Sequence, residues 1–153
     1  MKSGILGLAL GLGLALAAPL AAQDLVMAPQ LGPTDAITAP AEIRALLAQD
    51  HVQLAQIDAF GGSDTVFFTN LVAVRCGLAS VHFGVNGAAA TTPLPLEPCH
   101  TGTARPNERR DPAGFPNFVR FAQDSVTLIT LDIAFTDGVT ETATLPRAGI
   151  MLD

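Results

Sequence analysis

The sequence predicts a mainly β protein. The expected architecture is a small antiparallel β-sandwich, or a sheet with one N-terminal helix packed on it (an α+β arrangement), stapled by one disulfide. Three observations carry this reading. Thr127, Ile129, Leu131, Ile133 and Phe135 alternate with other residues, and the chain returns over Val139–Leu145. From His51 onward the runs are short and rich in Val, Phe, Thr and Ile, the composition of half-buried strands. Only one stretch, beginning at Thr38, has the spacing of an amphipathic helix.

At the N-terminus, Lys2 precedes the Gly-, Leu- and Ala-rich run Ile5–Leu16, and small residues gather at Ala17, Ala18, Ala21 and Ala22 before Gln23-Asp24. This is the pattern of a cleavable secretory signal peptide over residues 1–22, with cleavage after Ala22, or alternatively after Ala17. A membrane span needs about 20 predominantly apolar residues, and Pro19 and four early glycines interrupt this stretch. No Cys follows the apolar run and no second long one appears. The expectation is therefore a soluble exported protein, periplasmic or extracellular, with no stable membrane anchor.

Residues 23–37 mix Pro29, Gly32 and Pro33 with apolar residues without a period, an irregular lead-in to a single β-rich domain over 38–153. In the helix beginning at Thr38, Pro40 suits the first turn and Glu42 the positive end, with Ile43, Leu46 and Leu47 on one face. A strand is expected from Val52 to about Phe60, a turn at Gly61-Gly62-Ser63-Asp64, and a buried strand from Thr65 to Arg75. Cys76-Gly77 interrupts. Ala79–Asn86 resumes with Val81, Phe83 and Val85 on one face and His82 on the other. Asn86-Gly87 opens a Pro-rich loop over about 87–117, with Pro93, Pro95, Pro98, Pro106, Pro112 and Pro116. The final hairpin is expected to turn on the two residues Asp137-Gly138 and to end at Pro146, which makes four to six strands in all.

In an exported chain, Cys76 and Cys99 without C-x-x-C spacing read as a structural disulfide. The chain carries a formal net charge of −6; once Lys2 leaves with the leader, seven arginines face fourteen carboxylates, giving −7. Nucleic acid and anionic membranes are poor partners for such a surface. No G-x-S-x-G, phosphate-binding loop, G-x-G-x-x-G or H-E-x-x-H pattern is present, so nothing positive points to an enzyme and no cofactor is expected.

Four groups of residues invite a functional reading. His51, His82 and His100 fall singly, without the paired spacing that puts two metal ligands on one face. Asp58 with Asp64, and Asp132, Asp137 and Glu141, read first as turn-capping or solvated carboxylates. Arg105, Arg109 and Arg110 sit within six residues in an otherwise acidic protein, close to His100 on the same disulfide-tethered loop. Arginine forks suit carboxylate or phosphate, and a constrained loop presents them with little entropy loss. Glu108 and Asp111 lie among them as local neutralisers. Phe115, Phe118 and Phe121 either close the core under the loop or supply an apolar anchor beside it.

The leading expectation is an exported binding or accessory module contacting a protein or a small anionic ligand through Arg105, Arg109, Arg110 and His100. A small secreted hydrolase and a structural envelope component are the alternatives. A histidine and a carboxylate within hydrogen-bond reach in a deep pocket would favour the hydrolase. A flat exposed face or an unpaired sheet edge would favour the binding module.

Overall fold

The computed structural model describes residues 34–152. The leader at 1–22 and the lead-in up to residue 33 lie outside the described residues. The chain runs α1 (Pro40–Leu47), β1 (Gln56–Phe60), β2 (Ser63–Phe67), α2 (Thr69–Ala73), β3 (Leu78–Val85), β4 (Thr92–Pro93), β5 (Phe118–Ala122), β6 (Leu128–Phe135) and β7 (Thr140–Pro146). Single 3₁₀ turns follow at Arg75–Gly77 and Arg147–Gly149. The strands form two antiparallel sheets, ordered β1-β2-β5 and β4-β3-β6-β7. Both contribute to one apolar cluster, Ile57 and Val66 from the first sheet and Val81, Phe83, Ile129, Leu131, Ile133 and Phe135 from the second. The mainly β architecture with one disulfide is thus as the sequence predicts.

The elements follow from local chemistry. Pro40 occupies the first turn of α1, where a missing N–H costs nothing. Ile43 and Leu47 then enter the core one turn apart. The helix starts after Ala39 and not at Thr38, with no side-chain cap. Its outer side is fixed by Arg44, whose guanidinium donates to Asp137 at 2.9 Å and lies over the Phe135 ring. This explains one carboxylate of the final hairpin: it anchors α1.

β1 is shorter than expected, beginning at Gln56. The turn to β2 is only Gly61-Gly62, with φ of 67° and 82°, the double left-handed geometry of a two-residue hairpin. Ser63 and Asp64 already belong to β2. The expected strand over 65–75 is corrected: β2 stops at Phe67, and the chain enters α2 and the 3₁₀ turn. A short apolar run fits a buried helix as well as a strand, and here Leu71, Val72 and Val74 are buried from helical and turn positions. β3 agrees with the expectation, Val81 and Phe83 facing the core.

The loop over 87–117 contains β4, which pairs with His82 and Phe83. Gly84 permits the return, because a Cβ there would meet the Ala88 carbonyl at 2.3 Å. From Leu94 to Asn117 the chain is irregular. β5, which the sequence reading did not place, then pairs with β2, raising the strand number to seven. The last hairpin is present as expected, but its register is shifted by one residue from that of a two-residue Asp137-Gly138 turn, with Leu131 opposite Ala143. Its turn is a three-residue one: the Gly138 N–H donates to Phe135 O, and Gly138 takes φ of 86°. No described helix is long and apolar enough to cross a membrane.

Candidate functional site

The irregular segment is held from beneath by Arg75. This side chain is 2% exposed, and its guanidinium donates to the carbonyls of Glu97 (2.8 Å), Asn107 and Glu108 (2.9 Å). Burial is the main influence lowering its pKa; Glu97 opposes that, and the nearby Arg109 cation adds to it. Cys76 and Cys99 are joined, their Cα atoms 5.0 Å apart. Asn107 completes the anchorage: its side-chain oxygen accepts from Cys76 N at 2.8 Å, and its amide donates to the carbonyls of Thr34 and Ile37. Three distant segments are therefore welded to one loop of six prolines.

On this platform the candidate residues separate into different roles. Arg105 is paired with Asp35 at 2.7 Å and Glu108 at 3.1 Å. Arg110 faces the other Glu108 oxygen at 3.5 Å, while its backbone N–H donates to the Glu97 carboxylate. His100 bonds through Nε2 to Glu97 Oε1 at 2.8 Å. Burial opposes ionisation of Glu97. The Arg110 N–H, His100, the Asp111 N–H and Arg75 outweigh it, so its pKa lies below the ordinary value. Glu97 is thus a structural hub, and of the four candidate binding residues Arg105, Arg110 and His100 each have a carboxylate partner on this platform.

Arg109 is the exception. It lines a cleft of about 390 Å³ together with Asp35, Phe67, Thr69, Asn107 and Asn117. One Nη donates to the Phe115 carbonyl at 2.9 Å; the Nε is buried without a partner, and no carboxylate lies within 4.0 Å among the described residues. Across the cleft, the Asn117 amide donates to Thr69 Oγ1 at 2.9 Å, holding the end of β5 against α2. A guanidinium with unused donors beside an aromatic wall is suited to a planar anion.

The outer face of β1-β2-β5 begins where this cleft ends, since Phe67 borders both. It presents Asp58, Phe60, Thr65, Phe67 and Arg120 around a second hollow of about 360 Å³. Phe60 is 82% exposed. The Phe67 and Phe118 rings lie 5.8 Å apart, with the Arg120 guanidinium 5.2 Å from the Phe118 centroid. The three phenylalanines noted in the sequence therefore divide: Phe118 belongs to this face, Phe121 packs against the core, and Phe115 offers its carbonyl to Arg109.

The other candidates resolve as structure or as separated groups. His51, His82 and His100 stand apart, and no three metal-ligating side chains are grouped among the described residues. Ser80, His82 and Asp132 border a hollow of about 270 Å³ on the second sheet, yet the Asp132 carboxylate is bonded to Thr142 Oγ1 at 2.8 Å. Asp64, which resembles a turn residue in the sequence, is 0% exposed. Its oxygens accept from both Arg147 nitrogens at 2.6 and 3.0 Å and from the N–H groups of Asp124 and Val126. The Arg147 hydrogen bond chiefly drives its pKa well below the carboxylate range, against the effect of burial. This pair clips β2 of one sheet to the chain leaving β7 of the other.

Comparison with family models, with curated proteins and with solved structures gives no match. The geometry of the Arg109 cleft is therefore the guide to function. The sequence marked Arg109 only as one of three; the signal that would have singled it out, the capture of its neighbours by Asp35 and Glu108, lies partly 70 residues away.

Proposed function

We propose that this protein is an exported, soluble binding or accessory module that takes a carboxylate-bearing ligand in the cleft at Arg109. The observation that carries the reading is a cation lining a concave site without a carboxylate partner. The guanidinium has Nη donors beyond the one on the Phe115 carbonyl, and a bound carboxylate can take them in charge-assisted hydrogen bonds. Disulfide and prolines hold the loop in place beforehand, which reduces the ordering cost of binding. The export half of the proposal rests on the leader pattern at 1–22.

A hydrolytic role has less support, because His100 and Glu97, the histidine and carboxylate in contact, are both committed to the loop scaffold. The binding reading is tested by titrating the protein with acetate, succinate and inorganic phosphate, following backbone amide shifts. Shifts should gather at Thr69, Asn117 and Arg109 and vanish in Arg109→Gln, while Arg110→Gln retains them. Shifts that survive Arg109→Gln would place the anion elsewhere. Expression of the full chain in a bacterial host tests export: the mature N-terminus should be Gln23 in the periplasmic fraction, and an intact leader on cytoplasmic protein contradicts it.

A further inference from the structure

The seven arginines of the chain fall into two groups. Arg44, Arg75, Arg105, Arg110 and Arg147 each have a carboxylate within 4.0 Å. Arg109 and Arg120 have none among the described residues, and both belong to the continuous surface joined at Phe67. On a protein of net charge −6, these are the two guanidiniums without an ion-pair partner among the described residues, although Asp35 and Asp58 border the same hollows. Phe60 is exposed at the hairpin tip of the same sheet, and half-buried Phe67 and Phe118 lie side by side across β2 and β5. Aromatics beside unmatched arginines are the composition of a protein-recognition surface.

The same surface has a free sheet edge. β5 is the last strand of its sheet, and its partner β2 covers only one side. The Phe68 N–H donates to the Asn117 carbonyl, and the antiparallel register continues from there through Phe67 opposite Phe118. Hydrogen bonding alternates along such a pair. Residues 117, 119 and 121 therefore direct their main chain at β2, and Phe118, Arg120 and Ala122 direct theirs outward.

We infer that the natural occupant is an extended acidic segment of a partner protein, added as a strand along β5. The inference rests on the Arg109 reading, which supplies one end of the surface. The segment's main chain pairs with Phe118 and Arg120 and with the Ala122 N–H, the Ala122 carbonyl already accepting from the Ser125 N–H and hydroxyl. Its apolar side chains cover Phe118, the aromatic residue on the strand it joins, and lean toward Phe67. Its carboxylates meet Arg120 and Arg109, away from Asp58, which lies two strands from Arg120 in the same row.

The test compares acetate with two blocked peptides, one mixing Glu, Leu and Val and the other with every Glu replaced by Lys, using calorimetry and amide hydrogen exchange on the whole mature protein. The acidic peptide should bind at least about tenfold more tightly than acetate and slow exchange at Phe118, Arg120 and Ala122. Arg120→Gln should weaken it about two- to fivefold, the range of an exposed ion pair. Phe118→Ala should weaken it as well, and the Lys peptide should not bind. Acetate binding with no gain from the peptide overturns strand addition and leaves the Arg109 reading intact; absence of binding by either overturns both. Peptide binding without slowed exchange along β5, or equal binding by the Lys peptide, also refutes the inference.

Discussion

Replacing Asp64 by Asn retains the side-chain shape and removes the charge that clips the two sheets together. The carboxylate is fully buried and accepts from both terminal nitrogens of Arg147 and from two main-chain N–H groups. An amide in its place turns an NH₂ group toward donors and leaves Arg147 without this counter-charge. Breaking a buried ion pair on one side costs about 3–5 kcal/mol. Arg147 keeps 21% of its side chain exposed and has Asp124 at 3.3 Å, so the lower end applies: about 3 kcal/mol at neutral pH. The pH dependence gives the stricter check. The folded state holds Asp64 ionised well below the ordinary range, chiefly through the Arg147 hydrogen bond, while in the unfolded chain it titrates near about 3.9. Its stabilisation is thus complete above that unfolded value and is lost as pH falls through the folded pKa. Urea unfolding of wild type and Asp64→Asn from pH 7 downward should show a constant gap that shrinks only below about pH 4. A gap under about 1 kcal/mol at pH 7, below the range for a broken buried pair, or one unchanged at the acid end, would refute the role assigned to this pair.

The remaining predictions concern the loop. Arg75→Met removes three hydrogen bonds to main-chain carbonyls and the cation nearest buried Glu97; it should destabilise by about 3–5 kcal/mol and speed amide exchange at Asn107 and Glu108, and a loss confined to exchange would mean the loop melts independently. Replacing Cys76 and Cys99 by Ser reopens a loop spanning 23 residues, which on the chain-entropy model costs about 3–3.5 kcal/mol in urea unfolding. Thiol titration of the denatured, oxidised protein should find no free thiol, and two reactive thiols would contradict the pairing. Arg105→Gln loses only exposed ion pairs and should change stability by less than about 1 kcal/mol, measurable in the same unfolding assay.

What the sequence revealed, and what it hid, follows from the range over which each signal acts. The final hairpin and β3 were legible because alternation is local and one face of each is buried. The helix at Pro40 was legible because Pro, Glu42 and the Ile43/Leu47 spacing all lie within one short segment. The run after Thr65 was misread because Val, Phe and Leu fill a buried site on either backbone, and Phe68 and Asn117 decide its end through a contact across the chain. β5 was missed because its Phe, Val and Arg do not alternate cleanly in burial, as suits an edge strand. The site was hidden for the same reason. Glu108 was recognised as a neutraliser of its arginine neighbours, but Asp35 captures Arg105 from far away, and only that leaves Arg109 distinct. Asp64 and Arg147, separated by 83 residues, had no local signal at all.

The central proposal is that Arg109 binds a carboxylate in its cleft. The most direct measurement is the titration of the protein with succinate, read at the Arg109 side-chain Nε–H by NMR. The account predicts a downfield shift of that resonance as carboxylate binds, with the Arg110 and Arg105 side chains unmoved and Arg109→Gln silent. An Arg109 resonance that stays fixed while the protein is saturated with succinate would contradict it.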